Sequence, residues 1–479
     1  VKASNRVVIL GLDCAVPHLV FDKWRDELPT FSLLMRSGLY GPLRSTDPPI
    51  TIPAWTSMVT GKDPGQLGCY GFRNRTDHSY SSMKIADSTF VREPTIWRIL
   101  SRRRMRSVVI GVPQTYPPTP LRGLMVSGLL TPNEEAEFTY PKEFKEEIHR
   151  ISGGYLVDVK DFRTDEKDRL LNQVLEMTRR RFRLIRHLLR EESWDFFMAV
   201  EMGPDRLQHG FWKYFDPQHP KYSPDGPYRD VVLSYYKMLD AELEAVVDLL
   251  DPSDTLIVVS DHGARPMMGG VCINEWLRKR GYLVLNGEPE GPTSFSMDMV
   301  DWDKTIAWSE GGYYARVFLN IKGREPRGRL PLEDATRFKR DLAHELREME
   351  GPDGRPLGNQ VISPEEIYKE QRGVPPDLMV YFGGLSWRSV GSVGTDSIFT
   401  TENDMGPDDA NHDPFGLIII HQKDGPLGKG VWRDDLTIYD VAPTVLDLMG
   451  VEAPPGLMGR KIQPLRETSD TSALETGEG

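Results

Sequence analysis

Short apolar runs, rich in β-branched residues and separated by longer amphipathic stretches, set the rhythm of the chain. Arg6–Leu12, Ser107–Gly111, Leu124–Val126, Phe196–Val200, Thr255–Val259 and Leu417–His421 each read as a strand buried on both faces. Between them the apolar positions recur at helical spacing. Leu19, Trp24, Leu28, Leu33 and Leu34 mark a helix over 19–37, and Leu171, Leu175, Phe182, Ile185 and Leu189 mark a long one over 165–191. Further helices are expected over 95–103, 228–250 and 438–449, the last closed by Gly450, while the Tyr-, Pro- and His-rich segment 211–227 reads as an ordered loop. Strand–helix alternation over most of the length predicts an α/β fold with a doubly wound, mostly parallel sheet flanked by helices.

The rhythm changes after Asp261-His262. Residues 265–408 are richer in Gly and Pro, with short strands expected at 305–308, 315–320 and 378–382 and one clear helix at 332–349. We read this stretch as a cap inserted between the first part of the core, 1–264, and its final strand and helix, 409–465. The polar tail 466–479 is expected to be disordered.

Charge narrows the choice of partners. With 71 acidic and 59 basic residues the formal net charge is -12, which disfavours nucleic acid polymers and anionic membranes. A small anionic substrate stays possible, because bound cations reverse the local field. Cys14, Cys69 and Cys272 are too few and too scattered for a disulfide framework. No apolar run reaches membrane-spanning length. A cytoplasmic location is expected, with a leader removed upstream of Val1 left open. Nothing in the sequence sets an oligomeric state.

The candidate chemistry lies where the apolar runs stop. Arg6–Leu12 ends at Asp13, Phe196–Val200 leads into Asp205 and His209, Thr255–Val259 ends at Asp261-His262, and Asn411-His412 stands just before the last strand. In an open α/β sheet, ligands bind outside the carboxyl ends of the strands, so six metal-binding side chains converge on one edge. Asp205 and His209 are four apart on a helical segment and can face one ion. A mixed Asp/His set suits two borderline cations, zinc first and manganese second, better than magnesium. Two such ions ~3.5–4 Å apart clamp the attacking and leaving oxygens of a phosphoryl displacement. Thr51 is the candidate nucleophile. It precedes Pro53, a residue suited to a first helical turn, so its hydroxyl lies near a helix N-terminus that favours negative charge. Judged locally, a plain N-cap is the commoner role for a threonine there.

Taken together, the order of these motifs is similar to that of a known family. Asp13, then Thr51-Ile-Pro-Ala-Trp-Thr-Ser-Met-Val-Thr-Gly61 with Pro64, then Asp205-x-x-x-His209, Ser-Asp261-His262-Gly and Asn-His412 resemble the alkaline phosphatase superfamily, and within it the type I phosphodiesterase/nucleotide pyrophosphatase branch. The ending Asp440-Val-Ala-Pro-Thr-Val-Leu-Asp-Leu-Met-Gly450, with Pro454-Pro455-Gly456 and Gly459-Arg460, also resembles that superfamily's closing helix and loop.

The resemblance implies one metal held by Asp205, His209 and His412 and a second held by Asp13, Asp261 and His262, with Thr51 bound to it. It further implies a phosphothreonine intermediate and an alkaline phosphatase-like sheet under a cap. The chain departs from the diesterase pattern at Leu67-Gly68, where His-Gly is usual, and at Phe72, near the expected phosphate-binding asparagine. Arg73, Asn74 and Arg75 follow at once and, with Asn411, are the candidate substrate-binding residues; either arginine could equally be solvated. The function expected is hydrolysis of a small phosphate ester, diester or monoester. A cofactor-independent phosphomutase and a catalytically inert, metal-stabilised binding protein are the alternatives. A sulfatase fits less well, since no Cys-x-Pro-x-Arg or Ser-x-Pro-x-Arg surrounds position 51.

Overall fold

A computed structural model describes residues 6–423 and 429–463. The tail expected to be disordered, 466–479, lies outside the described residues.

The apolar runs become the middle of a ten-stranded sheet. Its labelled strands are β1 (Val7–Leu12), β2 (Leu39–Arg44), β3 (Ser107–Ile110), β4 (Gly123–Val126), β5 (Thr139–Tyr140), β6 (Phe196–Glu201), β7 (Thr255–Val259) and β8 (Phe415–His421). They stand in the order β2-β8-β7-β1-β6-β3-β4-β5, with two short strands, Val431–Trp432 and Leu436–Thr437, along the outer side of β2. The block from β7 to β4 is parallel. Every residue of β1, β6 and β7 is buried, as a strand covered by helices on both faces must be. The register Gly11↔Val200 and Gly11↔Val259 brings the carboxyl ends of these three strands level.

β8 runs antiparallel to β7, with Ile418 opposite Val259. That reversal explains how a histidine preceding a strand joins side chains that follow strands, since the start of β8 lies at the same edge as the ends of β1, β6 and β7. β2, antiparallel to β8, points the same way as the parallel block and leads the chain towards Thr51.

β2 carries no sequence signal for a strand, because Gly41-Pro42 interrupts it. The structure tolerates the pair where the outer partner changes, Leu39 and Tyr40 pairing with Val431–Trp432 and Leu43 and Arg44 with Leu436–Thr437. Glycine is needed at 41 because a Cβ there would sit 1.7 Å from the Arg433 carbonyl oxygen. The helix expected over 19–37 is broken into Leu19–Lys23, Arg25–Glu27 and Pro29–Ser37. Proline at 29 starts the last piece, since its ring cannot continue a helix arriving from upstream. Conversely, the first five residues of the expected loop 211–227 are helical. They complete the helix Gly203–Phe215, which stops at Asp216 before Pro217.

Between β7 and β8 the chain builds a four-stranded antiparallel sheet, Ala307–Glu310, Ala315–Leu319, Leu378–Tyr381 and Gln360–Ile362, together with the helix Leu332–Arg347. These elements share a separate apolar cluster that includes Trp276, Trp308, Phe318, Leu342 and Phe382. The chain leaves and re-enters the core through one antiparallel ladder, Gly263–Pro266 against Ala410–Asp413, with Ala264 opposite His412. The hairpin Arg73–Arg75/Met83–Ile85 also belongs with the cap structurally. Its Tyr80 ring stacks on Trp302 at 3.6 Å, and its Arg75 guanidinium lies over Trp308 and Phe318.

Candidate active site

Two helices frame the site, α1 (Thr51–Thr60) and α2 (Gly203–Phe215). α1 begins at Thr51 itself and is buried along its whole length. It lies against β1 because residue 11 is glycine; a Cβ there would come within 2.4 Å of the Trp55 ring. Trp55 then donates its indole N–H to Asp13 Oδ2 at 2.6 Å, which ties the helix to the first carboxylate of the site. On α2, one helical turn separates Asp205 from His209, whose Nε2 is 3.4 Å from Asp205 Oδ1.

The structure brings Thr51 and all six expected ligands together. Thr51 Oγ1 is 3.2 Å from His262 Nε2. Ligand atoms of Asp205, His262 and His412 lie within 4.8 Å of one another, as do those of Asp13, Asp261 and His262. His262 therefore stands between the two groups, its ring stacked on that of His412 at 3.8 Å. His209 approaches the first group through Asp205.

Each histidine is oriented from behind. The Nδ1 atoms of His209, His262 and His412 donate to Asp408 Oδ1 at 2.6 Å, the Gly263 carbonyl at 3.1 Å and the Pro49 carbonyl at 2.8 Å. Those acceptors fix the proton on Nδ1, so every Nε2 turns its lone pair to the centre when the ring is neutral.

Around the centre, Asp13 Oδ1, Asp205 Oδ1, Asp261 Oδ2, His209 Nε2 and His412 Nε2 are buried without a hydrogen-bond partner. Five such atoms in one place are costly in a folded protein, and a set of carboxylate oxygens and imidazole nitrogens is what divalent cations take up. The residues fit two metals.

Electrostatics agree. Burial, and then the charge of Asp205, push the Asp13 carboxyl well above the ordinary carboxylate range; burial and Asp13 do the same to Asp261. Burial depresses His262 to about 4, and burial together with His262 lowers His412. At Asp205 burial pushes upward, but His209 and Arg206 outweigh it and hold the carboxylate well below its usual value. His209 moves the other way, burial being outweighed by Asp408, Tyr313 and Asp205. Three crowded carboxylates resist ionising together, and positive charge between them removes that resistance.

The expected substrate-binding residues divide. Arg73 is exposed and lines a cleft of about 350 Å³ that also reaches Ile50, next to Thr51. Asn74 and Arg75 are turned into the protein instead. Asn74 accepts from Tyr70 N–H and donates to the Gly71 carbonyl, closing its own loop. Arg75 pairs with Glu325 at 3.7 Å in the cap. Asn411 is likewise committed, accepting from His412 N–H and donating to the carbonyls of Tyr313 and Trp387.

Sequence reasoning missed Trp55, Arg206, Tyr313 and Asp408. Arg206 donates to Asp205 Oδ2 at 2.5 Å and forks onto Asp158, and Tyr313 stacks on His412 at 4.0 Å. Asp408 offered a signal, four residues before His412; Tyr313, in the Gly-Gly-Tyr-Tyr loop of the cap, offered none.

A ligand-bearing edge on a central parallel sheet, with a threonine at a buried helix start, fits the alkaline phosphatase superfamily, and the family match makes the chain a hydrolase acting on ester bonds. The type I phosphodiesterase / nucleotide pyrophosphatase family matches residues 7–408, and the chain belongs to it. Its fold is similar to that of human ectonucleotide pyrophosphatase/phosphodiesterase 5, with a TM-score of 0.55 and 15% identity over 94% of this chain and 96% of that one. It is similar also to the murine protein of that name, solved as an inactive variant in complex with AMP, with a TM-score of 0.55 and 14% identity over the same shares. No curated protein matches the chain. Family membership makes phosphodiester hydrolysis its activity class.

Proposed function

We propose that the protein is a two-metal phosphodiesterase that works through a covalent phosphothreonine at Thr51. The observation that carries this reading is the ring of five unpartnered, buried ligand atoms around the hydroxyl at the start of α1. Asp205, His209 and His412 would hold one cation and Asp13, Asp261 and His262 the other, with His262 close enough to serve either. Zinc is the first choice and manganese the second, as imidazole and carboxylate together suit both. When bound, the cations supply positive charge that favours the threonine alkoxide and the oxygens around phosphorus.

The chain's own residues do the rest. Thr51 Oγ1 attacks phosphorus, the leaving oxygen departs opposite, and water later cleaves the Thr51 ester. The start of α1 presents its dipole and first-turn amides to developing negative charge. Trp55 holds Asp13, and Asp408, Gly263 and Pro49 hold the three imidazoles, so the ligands do not reorganise during turnover. The AMP complex of the murine neighbour makes a nucleotide-bearing diester the first substrate to try.

The test is turnover of matched aryl phosphate diester and monoester substrates by the metal-reconstituted protein beside Thr51→Ala. The diester should be preferred, and the variant should lose about a thousandfold or more in kcat. A Thr51→Ala protein as active as its parent would remove threonine as the nucleophile.

A further inference from the structure

The cleft that reaches Ile50, the residue before Thr51, is lined by five arginines, Arg73, Arg163, Arg206, Arg316 and Arg388, and by no aspartate or glutamate. That is an unusual wall in a chain of net charge -12. Two of the five are neutralised where they stand. Arg206 is consumed by Asp205 and Asp158, and Arg316 by Glu310 and the Arg73 carbonyl.

The other three are not. Arg163 and Arg388 share a single carboxylate, Asp408 Oδ2, at 2.7 and 3.2 Å, and that carboxylate also accepts from His209. One aspartate cannot balance two guanidiniums. Arg388 is 5% exposed, and its Nε has no hydrogen-bond partner. A guanidinium donor buried without an acceptor is expensive unless a ligand supplies one. Arg163 spends Nε on Asp408 and Nη2 on the Tyr313 hydroxyl, and its Nη1 has no partner among the described residues. Arg73 is exposed at the cleft, and its side chain makes no hydrogen bond or ion pair with any described residue. Both Arg163 and Arg388 lie against Tyr313, at 5.6 and 4.9 Å from its centroid, and Tyr313 stacks on His412. The spare positive charge is therefore held next to the ligand cluster.

We propose that Arg73, Arg163 and Arg388 form an anion subsite beside Thr51, which takes a second anionic group carried by the phosphate ester, a phosphate or a carboxylate. This assignment rests on the phosphodiesterase reading of the same site. Planar guanidinium forks match both groups and give geometry as well as charge.

Two measurements on the full-length, metal-reconstituted protein test it. The first compares kcat/KM for p-nitrophenyl phosphodiesters whose second ester group is ethyl, carboxyethyl or phosphoethyl. The anionic substrates should exceed the ethyl one at least tenfold, and that ratio should fall at least tenfold in Arg388→Gln and severalfold in Arg73→Ala. A larger ratio for the phosphoethyl arm identifies phosphate as the group, and equal ratios identify the shared anionic chemistry alone. Parallel losses on all three substrates, with the ratio unmoved, would show that the arginines only build the wall. The second measurement is calorimetric titration with inorganic pyrophosphate and inorganic phosphate. Pyrophosphate should bind the parent at least tenfold more tightly, and the margin should shrink in Arg73→Ala, an exposed position where folding is not at risk. A parent without that margin overturns the subsite. A parent with the margin but no diester turnover overturns the phosphodiesterase reading and leaves the subsite standing.

Discussion

Asp408 shows how one side chain outside the ligand set governs it. It anchors His209 through Nδ1 and two arginines through its other oxygen, and those cations hold it below the ordinary carboxylate range against the opposing effect of burial. Asp408→Asn keeps the shape but removes the charge that makes His209 a strong ligand. Metal affinity should fall about 10–100-fold, read by competition with a chromogenic chelator. Unchanged affinity would mean that His209 does not hold metal. The neighbouring Asp409 has a separate consequence. Burial raises its carboxyl to about 6, while burial depresses the nearby His219 to about 4. A carboxyl with a raised pKa favours the folded state at low pH, and that contribution is lost as pH rises through about 6; a buried neutral histidine works in the opposite direction over the same interval. Asp409→Asn removes the first and keeps the second. The melting temperature of the variant minus that of the parent should therefore rise between pH 4 and pH 7, and a falling difference would contradict the assignment.

At the scale of elements, α1 is positioned by what β1 lacks. Gly11 lets the Trp55 ring lie against the strand, and the same ring aligns Asp13. Gly11→Ala should lower the melting temperature and turnover together, because the helix must shift to relieve a 2.4 Å approach of the new Cβ to the Trp55 ring and takes Thr51 with it. Full activity in a stable Gly11→Ala protein would show that α1 is not held there.

Much of this was legible in the sequence, and the reason is physical. Buried parallel strands must be apolar throughout, so their ends are sharp, and the side chains just beyond those ends lie in the cleft by topology. That is why Asp13, Asp205, His209, Asp261, His262 and His412 can be named as candidates from the sequence, and the antiparallel course of β8 supplies the reason that His412, which precedes its strand, lies at the same edge. β2 was invisible because its Gly41-Pro42 pair is permitted only by a change of partner that no local pattern encodes. Asn74 and Arg75 looked like substrate contacts because a short polar run carries no mark of which side chain turns inward; their partners in the loop and cap decide it.

Across the whole molecule, the cap and core are joined by side chains as well as by the chain. Arg75 reaches from the first segment into the cap, over the rings of Trp308 and Phe318 and beside the buried Glu325. Arg75→Ala should cost about 1–3 kcal/mol in denaturant unfolding, Arg324 leaving Glu325 partly paired. Metal acts at the same scale. Zinc or manganese, bound by the folded chain and not by the unfolded one, should raise the melting temperature, and a chelator should reverse the rise. A melting temperature indifferent to both would argue against a metal centre.

The antiparallel ladder of Gly263–Pro266 and Ala410–Asp413 closes the loop of the insertion at its base, within one residue of His262 on one strand and with His412 on the other. Everything between those two strands enters and leaves through this one stem, while side-chain contacts such as Arg75–Glu325 and Tyr314–Tyr70 tie it to the first segment. A relative could carry a longer or shorter lid there and keep His262 and His412 facing each other, provided that Asp408, just before the returning strand, still holds His209 and Tyr313 still stacks on His412. For engineering, it marks the graft point, with new recognition surfaces spliced above the ladder and Asp408 and Tyr313 retained to hold the histidines.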